Sequence, residues 1–306
     1  MTALYRTAGI SKQAHLSYIK RHQQRQYKFL MLQLRLDDER SKHPAMSLKK
    51  LYKRMSPQFI GRDLFIAYCQ EHGYETILPR KTHSSRPLSE KAPYPNRCVD
   101  LVLIDINQLW VSDITYFKIG NVFFYIVLIM DVYSRRILGY NASANMFAQA
   151  NFKALQMALK QRNIDHYKDR LIHHSDKGSQ YKSLLYVEHL RDKGILVSMG
   201  NCCFDNAHME SLNGILKNEY LKHRPIHSAQ DLVKFLKQDV RLYNEERPHG
   251  SLGKRTPVEF ERYICNIPLE ERTRLPIFAD KVKANKLLVS STDPKQLKIN
   301  FPNFIL

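Results

Sequence analysis

The sequence is poor in cysteine, and its cysteines are badly placed for cross-linking or for zinc. The 306 residues contain five cysteines, and no two of them are spaced as C-x-x-C. An odd number with one adjacent pair, Cys202 and Cys203, is not typical of a disulfide framework. A structural zinc site would need clustered Cys and His ligands, which the spacing does not offer. The cysteine pattern therefore favours a reduced, intracellular compartment.

Long apolar runs and acidic residues are also scarce. The longest apolar run, "VFFYIVLIM" (122–130), has nine residues, whereas a membrane-spanning helix needs about 20. The first residues do not have the pattern of a secretory signal. Asp and Glu number 29 against 48 Lys and Arg, which gives a formal net charge of +19. This imbalance favours a polyanionic partner, most commonly nucleic acid, with an anionic membrane surface as the alternative.

The positive charge is concentrated near the N-terminus, where residues 1–95 hold 18 basic and 7 acidic residues. We expect three helices there, over 11–40, 46–55 and 62–74. The last two are typical of a helix-turn-helix, and a small basic helical bundle is the alternative. The predicted domains are a basic, helix-turn-helix-like DNA-binding region (1–75), a linker rich in Pro and Ser (76–97), a mixed α/β core (98–262) and a C-terminal tail of unknown role (263–306).

The core has strand signals followed by strand–helix alternation, which predicts a mixed five-stranded sheet with helices on both faces. The predicted strands are 109–119, 122–131, 135–143, 170–176 and 195–199. The predicted helices are 148–162, 183–194, 205–221 and 228–246.

Three acids in this core are candidates for one site. Asp113 lies inside an apolar strand, and Asp176 ends another strand, where open α/β sheets bind ligands. Glu210 shares a helix face with Asn213, Gly214 and Lys217. Each acid also has a plain structural explanation: Asp113 could lie on a solvated strand face, Asp176 could cap a strand end, and Glu210 could be favoured by a helix N-terminus. If they meet, three carboxylates suit Mg²⁺, and two such ions can support in-line phosphoryl displacement.

Five segments resemble one known family. They are "WVSDITYF", "MDVYSRRILGY", "HSDKGSQY", "DNAHMESLNGILKNEY" and "YNEERPHGSLGKRTPVEF", which occur in this order over about 105–262. Together they are similar to the transposases of IS3-family bacterial insertion sequences and, more widely, to the retroviral-integrase-like catalytic core. The N-terminal helices resemble the helix-turn-helix region that precedes this core in the same family.

The resemblance implies an RNase H-like fold and a DDE triad made of Asp113, Asp176 and Glu210. It implies Mg²⁺ or Mn²⁺ as the cofactor, strand cleavage at the inverted-repeat ends of an element, and attack by the freed 3′-OH. The sequence departs from the family in one respect. Thirty-three residues separate Asp176 from Glu210, slightly fewer than usual, which puts the DNA contacts of the intervening loop in doubt.

The resemblance also implies partners and a location. We expect binding to element ends and target DNA, a homo-oligomer on DNA, and a cytoplasmic, nucleoid-associated bacterial protein. The chain resembles the product of a downstream reading frame, which in this family is fused to, or acts with, an upstream helix-turn-helix protein. The alternatives are an RNase H-like nuclease without strand transfer and a transposase-derived DNA-binding regulator without catalysis.

Several other polar residues are candidates for contact with DNA. They are Lys217, Asn206, Arg247, His249, Lys177 and Arg62. For Arg247 and His249 the alternative is a helix stop formed by the neighbouring Pro248 and Gly250. We interpret Asp131 as structural. His174 has two possible roles, as a partner of Asp176 or of a phosphate and as a satisfied structural histidine.

Overall fold

The structure is a computed structural model, and the residues that it describes are 5, 7, 9–75, 92–144, 148–168, 170–200 and 207–277. The chain divides into two compact units, Met1–Ile77 and Leu78–Leu306. No helix in the described ranges is long and apolar enough to cross a membrane.

Between residues 9 and 75, the N-terminal unit has the three helices that the sequence predicts. They are α1 (Lys12–Lys42), α2 (Leu48–Met55) and α3 (Arg62–Glu71). Ser11 caps α1 by accepting a hydrogen bond from the Ala14 amide, as small polar residues commonly do at this position. The helices share a small apolar core that includes Leu36, Leu51 and Phe65. A helix-turn-helix role for α2 and α3 stays a prediction.

The second unit is built on a five-stranded sheet in the order β4-β3-β2-β5-β6. Its strands are β2 (Leu109–Ile119), β3 (Val122–Asp131), β4 (Ile137–Ser143), β5 (Leu171–Ser175) and β6 (Ile195–Met199). Strands β2, β3 and β4 are antiparallel, whereas β5 is parallel to both β2 and β6. This is the expected RNase H-like arrangement.

Helices cover both faces of the sheet, as the burial of alternate residues of β3 in two different apolar clusters shows. Ile126 and Leu128 belong to one apolar cluster, and Val127 and Ile129 belong to the other. A strand that is buried on both faces has a continuous apolar sequence, which explains the run at 122–130. Helices α4 (Ala148–Arg162) and α5 (Leu184–Asp192) pack on one face, and α6 (Ala207–Ile215), α7 (Ala229–Glu245) and α8 (Pro257–Cys265) pack on the other.

Two features differ from the sequence prediction. The helix expected over 205–221 is α-helical only to Ile215 and continues as a π-helical segment, Leu216–Tyr220. The predicted end of the core at 262 falls inside α8, and the chain beyond it still packs: Ile277 is buried, and β7 (Leu275–Pro276) pairs with β1 (Val102–Leu103). The start of α8 had a readable signal, because Thr256 and Glu259 form a capping box.

Candidate active site

The first two candidate acids lie side by side because of the register of the sheet. Val111 of β2 pairs with His174 of β5 in parallel. Asp113 and Asp176 each follow this pair by two residues, so both lie where the pairing of the two strands ends. Neighbouring strands are about 4.8 Å apart, which brings together two residues that are far apart in the sequence.

Asp113 is half-buried, and its surroundings oppose its ionisation. Burial raises the pKa of its carboxyl group to about 7, and the nearby charges of Asp176 and Glu210 add to the rise. Hydrogen bonds from the Ile114 backbone and from the Asn213 side chain lower this pKa and so offset part of the shift. The Asn213 bond is 2.7 Å long, from Nδ2 to Oδ2 of Asp113. The other two acids therefore lie close enough to act electrostatically on Asp113.

Asp176 is exposed, and one of its oxygens, Oδ1, accepts a hydrogen bond of 2.9 Å from the Gly178 amide. This bond is the strand-end cap that the structural explanation predicts. An ionised carboxylate has several acceptor positions, and this hydrogen bond uses only one of them. Capping the turn and facing Asp113 are therefore compatible roles for this side chain.

Glu210 is exposed in the first turn of α6. The opposite side of that helix is anchored in the core by Met209 and Leu212, and Asn213 joins the helix to Asp113 of β2. A carboxylate in a first helical turn is favoured by the positive end of the helix dipole. This placement keeps Glu210 at the surface, on the side of the sheet where α6 packs.

The acids do not form a ready-made cation cage. Within the described ranges, no group of three or more His, Cys, Asp or Glu side chains is arranged to hold a metal ion. The donor set is nevertheless of the right kind, since carboxylate oxygens are the preferred ligands of Mg²⁺. Mg²⁺ is usually held by one or two carboxylates together with substrate phosphates, so that the chain need not supply a complete cage.

Lys217 is a predicted DNA contact that lies near this site. Its Nζ donates a hydrogen bond of 3.2 Å to the Tyr116 carbonyl oxygen and lies 4.7 Å from the centre of the Tyr116 ring. Burial lowers the pKa of its ammonium group, the charge of Lys222 lowers it further, and the charge of Asp113 opposes the change. A lysine at this position contributes positive charge beside the acids.

Arg247 and His249 lie in the interior, where the structural alternative places them. Arg247 is 2 % exposed, and its guanidinium binds both carboxylate oxygens of Glu219, each at 2.7 Å. The ring of His249 packs edge-on against Tyr243. Neither side chain is presented to DNA in this arrangement, because a buried, bidentate ion pair has used the donors that a phosphate would need.

The remaining candidates are spread over the chain. Lys177 is half-buried next to Asp176. Arg62 is exposed in the N-terminal unit and pairs with Asp63 at 2.8 Å. Asn206 lies outside the described residues.

Two further side chains have structural partners. Asp131 is fully buried and accepts hydrogen bonds from the backbone amides of Asn107 and Ser134. His174 is buried and hydrogen-bonds through Nδ1 with the Ser198 hydroxyl at 2.8 Å. Their burial and bonding are those of structural residues, as expected for Asp131.

Two adjoining parts of the core match family models. Both models are described as "Integrase core domain"; one matches residues 106–202 and the other residues 198–257. Together the two matches cover residues 106–257, which we call the integrase core. The two matches meet between Asp176 and Glu210, so the family pattern spans all three acids of this integrase core.

Curated relatives of the integrase core are insertion-sequence proteins. An "Insertion element IS600 uncharacterized 31 kDa protein" from Shigella sonnei is 38% identical over 162 residues, which are 51% of this chain and 58% of the relative. A "Putative transposase for insertion sequence element IS986/IS6110" from Mycobacterium tuberculosis is 35% identical, and the match covers 51% of this chain and 58% of the relative. The IS3A transposase of Escherichia coli is 35% identical, and the match covers 51% of this chain and 54% of the relative. The chain thus spans little more than half the length of these relatives.

Among solved structures, the catalytic core domain of HTLV-2 integrase in complex with magnesium is similar to this chain. The match has a TM-score of 0.41 and 16% sequence identity, and it covers 56% of this chain and 99% of the integrase chain.

One residue of the integrase core has a closer link to the acids than the sequence indicated. The helical spacing places Asn213 on the face of Glu210, and in the structure its hydrogen-bond partner is Asp113, 100 residues earlier. The helical spacing gave its face, since residues three apart are neighbours on a helix. It gave no information about the strand against which that face packs.

Proposed function

We propose that the integrase core is the catalytic part of a DDE transposase that acts on DNA by phosphoryl transfer. In the first step water attacks a phosphodiester at the end of an insertion element and displaces the 3′-oxygen, which leaves as a 3′-OH. In the second step that 3′-OH attacks a phosphodiester of target DNA and displaces the 3′-oxygen of the target strand. The observation that carries this proposal is the environment of Asp113: burial raises the pKa of its carboxyl group to about 7, and the charges of Asp176, from a second strand, and of Glu210, from a helix, add to the rise.

Asp113, Asp176 and Glu210 would hold Mg²⁺ or Mn²⁺ in this proposal. Bound there, the cations would offset charge on the attacking and leaving oxygens of the displacement. The raised pKa of Asp113, which burial causes first and the charges of Asp176 and Glu210 increase, supports this assignment, because a carboxylate that is costly to ionise favours a bound counter-ion. Asn213 keeps one oxygen of Asp113 fixed by its hydrogen bond and favours the ionised form that a cation needs.

DNA is the partner that the charge of the protein favours. The formal net charge of +19 provides a sequence-independent attraction to phosphates that weakens as salt rises. Next to the acids, Lys217 and Lys177 are the side chains that we propose bind the backbone of the reacting strand. The N-terminal helices, including exposed Arg62, would add affinity for DNA.

The test is a strand-transfer assay with the purified full chain and duplexes that carry the terminal repeats found in the DNA flanking its gene. We expect Mg²⁺-dependent cleavage and joining, and loss of both in Asp113→Asn, Asp176→Asn and Glu210→Gln. These variants should still shift end DNA in a gel. Asp192→Asn, an exposed acid at the end of α5, is the matched control and should stay active.

The assay also separates the alternatives. Cleavage without joining would identify an RNase H-like nuclease. Binding without Mg²⁺-dependent cleavage, unaffected by any of the three substitutions, would identify a DNA-binding regulator and would contradict the proposal.

A further inference from the structure

Two aromatic rings lie exposed near the tip of the β2–β3 hairpin. Tyr116 is 59% exposed and Phe123 is 47% exposed. Their ring centres are 5.5 Å apart with an interplanar angle of 85°, an edge-to-face contact between neighbouring strands. Lys118 pairs with Phe123 in the register, which places Tyr116 and Phe123 diagonally on one face of the hairpin.

Each ring also has a lysine beside it. Lys217 Nζ lies 4.7 Å from the centre of the Tyr116 ring, and Lys118 Nζ lies 5.8 Å from the centre of the Phe123 ring. We call these four side chains the aromatic platform. Its surface combines two π-faces with two positive charges, a combination suited to a ligand that has both flat rings and negative charge.

The platform is outside the part of the sheet that the helices cover. On the same face, Val127 and Ile129 are buried in the cluster that contains α4, and Ile114 is partly buried against it. Tyr116 and Phe123 lie beyond that cover, toward the tip of the hairpin, and remain exposed. Core packing therefore does not explain why these two positions are aromatic.

The platform and Asp113 lie on opposite faces of the sheet, on either side of the open edge of β2. Tyr116 follows Asp113 by three residues on β2, or about 10 Å at the usual rise per strand residue, and successive side chains alternate between the faces. Strand β5 pairs with β2 only at Leu109, Trp110 and Val111. Lys217 crosses at the later half of β2 and donates a hydrogen bond to the Tyr116 carbonyl oxygen. A DNA strand with a phosphate at Asp113 would reach the two rings by crossing this unpaired edge of β2, where Lys217 lies.

We propose that an unpaired nucleobase of the reacting DNA strand packs on Tyr116 and Phe123, stacked on one ring and edge-on to the other, while Lys118 and Lys217 bind the phosphates on either side of it. A surface ring can stack only on a base that has left its own helix. The preferred substrate is therefore DNA whose terminal nucleotides are unpaired. This inference rests on the proposed function for the location of the strand, but its test does not require catalysis.

The experiment measures binding in the full chain with Glu210→Gln as the background, so that cleavage cannot contribute. The probes are a blunt duplex and the same duplex with a short single-stranded tail that carries 2-aminopurine. We expect tighter binding of the tailed duplex, by about tenfold, and quenching of 2-aminopurine. Tyr116→Leu and Phe123→Leu should remove the preference and the quenching, whereas Tyr116→Phe, which keeps the ring, should retain both.

Tyr263→Leu is the matched control, because Tyr263 is 44% exposed and has the Arg255 guanidinium 3.8 Å from its ring centre. It should behave like the parent, and circular dichroism and thermal melting should show that every variant is folded. Equal binding of blunt and tailed DNA by the parent, or an unchanged preference in Tyr116→Leu, would overturn the proposal. So would a dimer that dissociates on Tyr116→Leu, since the rings would then contact a second copy. Quenching without strand transfer in the unsubstituted protein would leave the platform standing and reject the proposed chemistry instead.

Discussion

The side-chain amide of Asn213 donates a hydrogen bond of 2.7 Å to Oδ2 of Asp113, and this bond joins helix α6 to strand β2. The other end of the amide, Oδ1, is buried and has no hydrogen-bond partner among the residues that the structure describes. A buried carbonyl without a partner costs about 1–3 kcal/mol. Asn213 therefore supports Asp113 at some expense to the stability of the fold.

Asn213→Leu should separate stability from function. The substitution removes the unpartnered oxygen, so we expect a melting temperature equal to or above that of the parent. It also removes a bond that lowers the pKa of Asp113, so this pKa should rise above about 7. Because the ionised carboxylate would bind the cation, the acidic limb of the pH profile for strand cleavage should move to higher pH. Asn218→Leu, in the π-helical segment, is the control and should leave the pH profile unchanged. If the acidic limb of the profile does not move in Asn213→Leu, the assigned role of Asn213 is contradicted.

Asp113→Asn should change how stability depends on pH. The pKa of Asp113 is raised to about 7 in the folded chain, above the value of about 3.9 expected when unfolded. The folded state therefore binds the proton more tightly, and parent stability should fall as pH rises from about 4 to about 7. An amide has no proton to lose, so in EDTA at pH 8 the variant should be more stable than the parent by about 1–3 kcal/mol.

Urea denaturation of parent and Asp113→Asn at pH 5 and pH 8 measures this difference. Asp239, whose pKa burial raises to about 6, adds a pH dependence that both proteins share, so the difference between them isolates Asp113. Mg²⁺ should raise the melting temperature of the parent and not of the variant. Identical pH dependence in the two proteins would show that Asp113 titrates normally.

Arg247→Met should destabilise the fold, because it leaves the buried Glu219 carboxylate without its guanidinium. The expected loss is about 3–5 kcal/mol, and Glu219→Met/Arg247→Met should recover much of it. Arg241→Met is the control: Arg241 is 58% exposed and 3.5 Å from Glu245, and such pairs contribute about 0–1 kcal/mol. Weaker DNA binding with an unchanged melting temperature in Arg247→Met would instead support a direct DNA contact.

Two glycines should respond in opposite directions to alanine. A Cβ on Gly139 of β4 would lie 2.0 Å from the Ala154 carbonyl oxygen of α4, so Gly139→Ala must push strand and helix apart at a cost of about 3 kcal/mol or more. A Cβ on Gly214 of α6 would meet nothing within 4 Å, and Gly214→Ala should gain about 0.5–1 kcal/mol. Thermal melting of both variants checks the pair, and equal shifts would contradict the close packing of β4 on α4.

The strands were readable from the sequence because their signals are local. The predicted ranges 109–119, 122–131 and 195–199 agree with β2, β3 and β6, since β-branched and aromatic runs ended by turn residues act over a few positions. Gly120 has a positive φ of 57° in the β2–β3 turn, as glycine in tight turns often does. The short β1–β7 pair was missed because two residues carry too little pattern, and its partners are more than 170 positions apart.

The three acids were also named from the sequence, since each belongs to a motif and to an element that the local pattern predicts. Their relation was not determined there. Only the register between Val111 and His174 places Asp113 beside Asp176, and only the packing of α6 gives Asp113 its amide donor. Likewise, the sequence motif around Arg247 indicates a DNA contact, whereas in the structure Arg247 is buried and paired with Glu219. The sequence determined which residue types are available, because propensity and spacing are local; the tertiary structure decided which charges meet and which are buried, because those depend on contacts between distant segments.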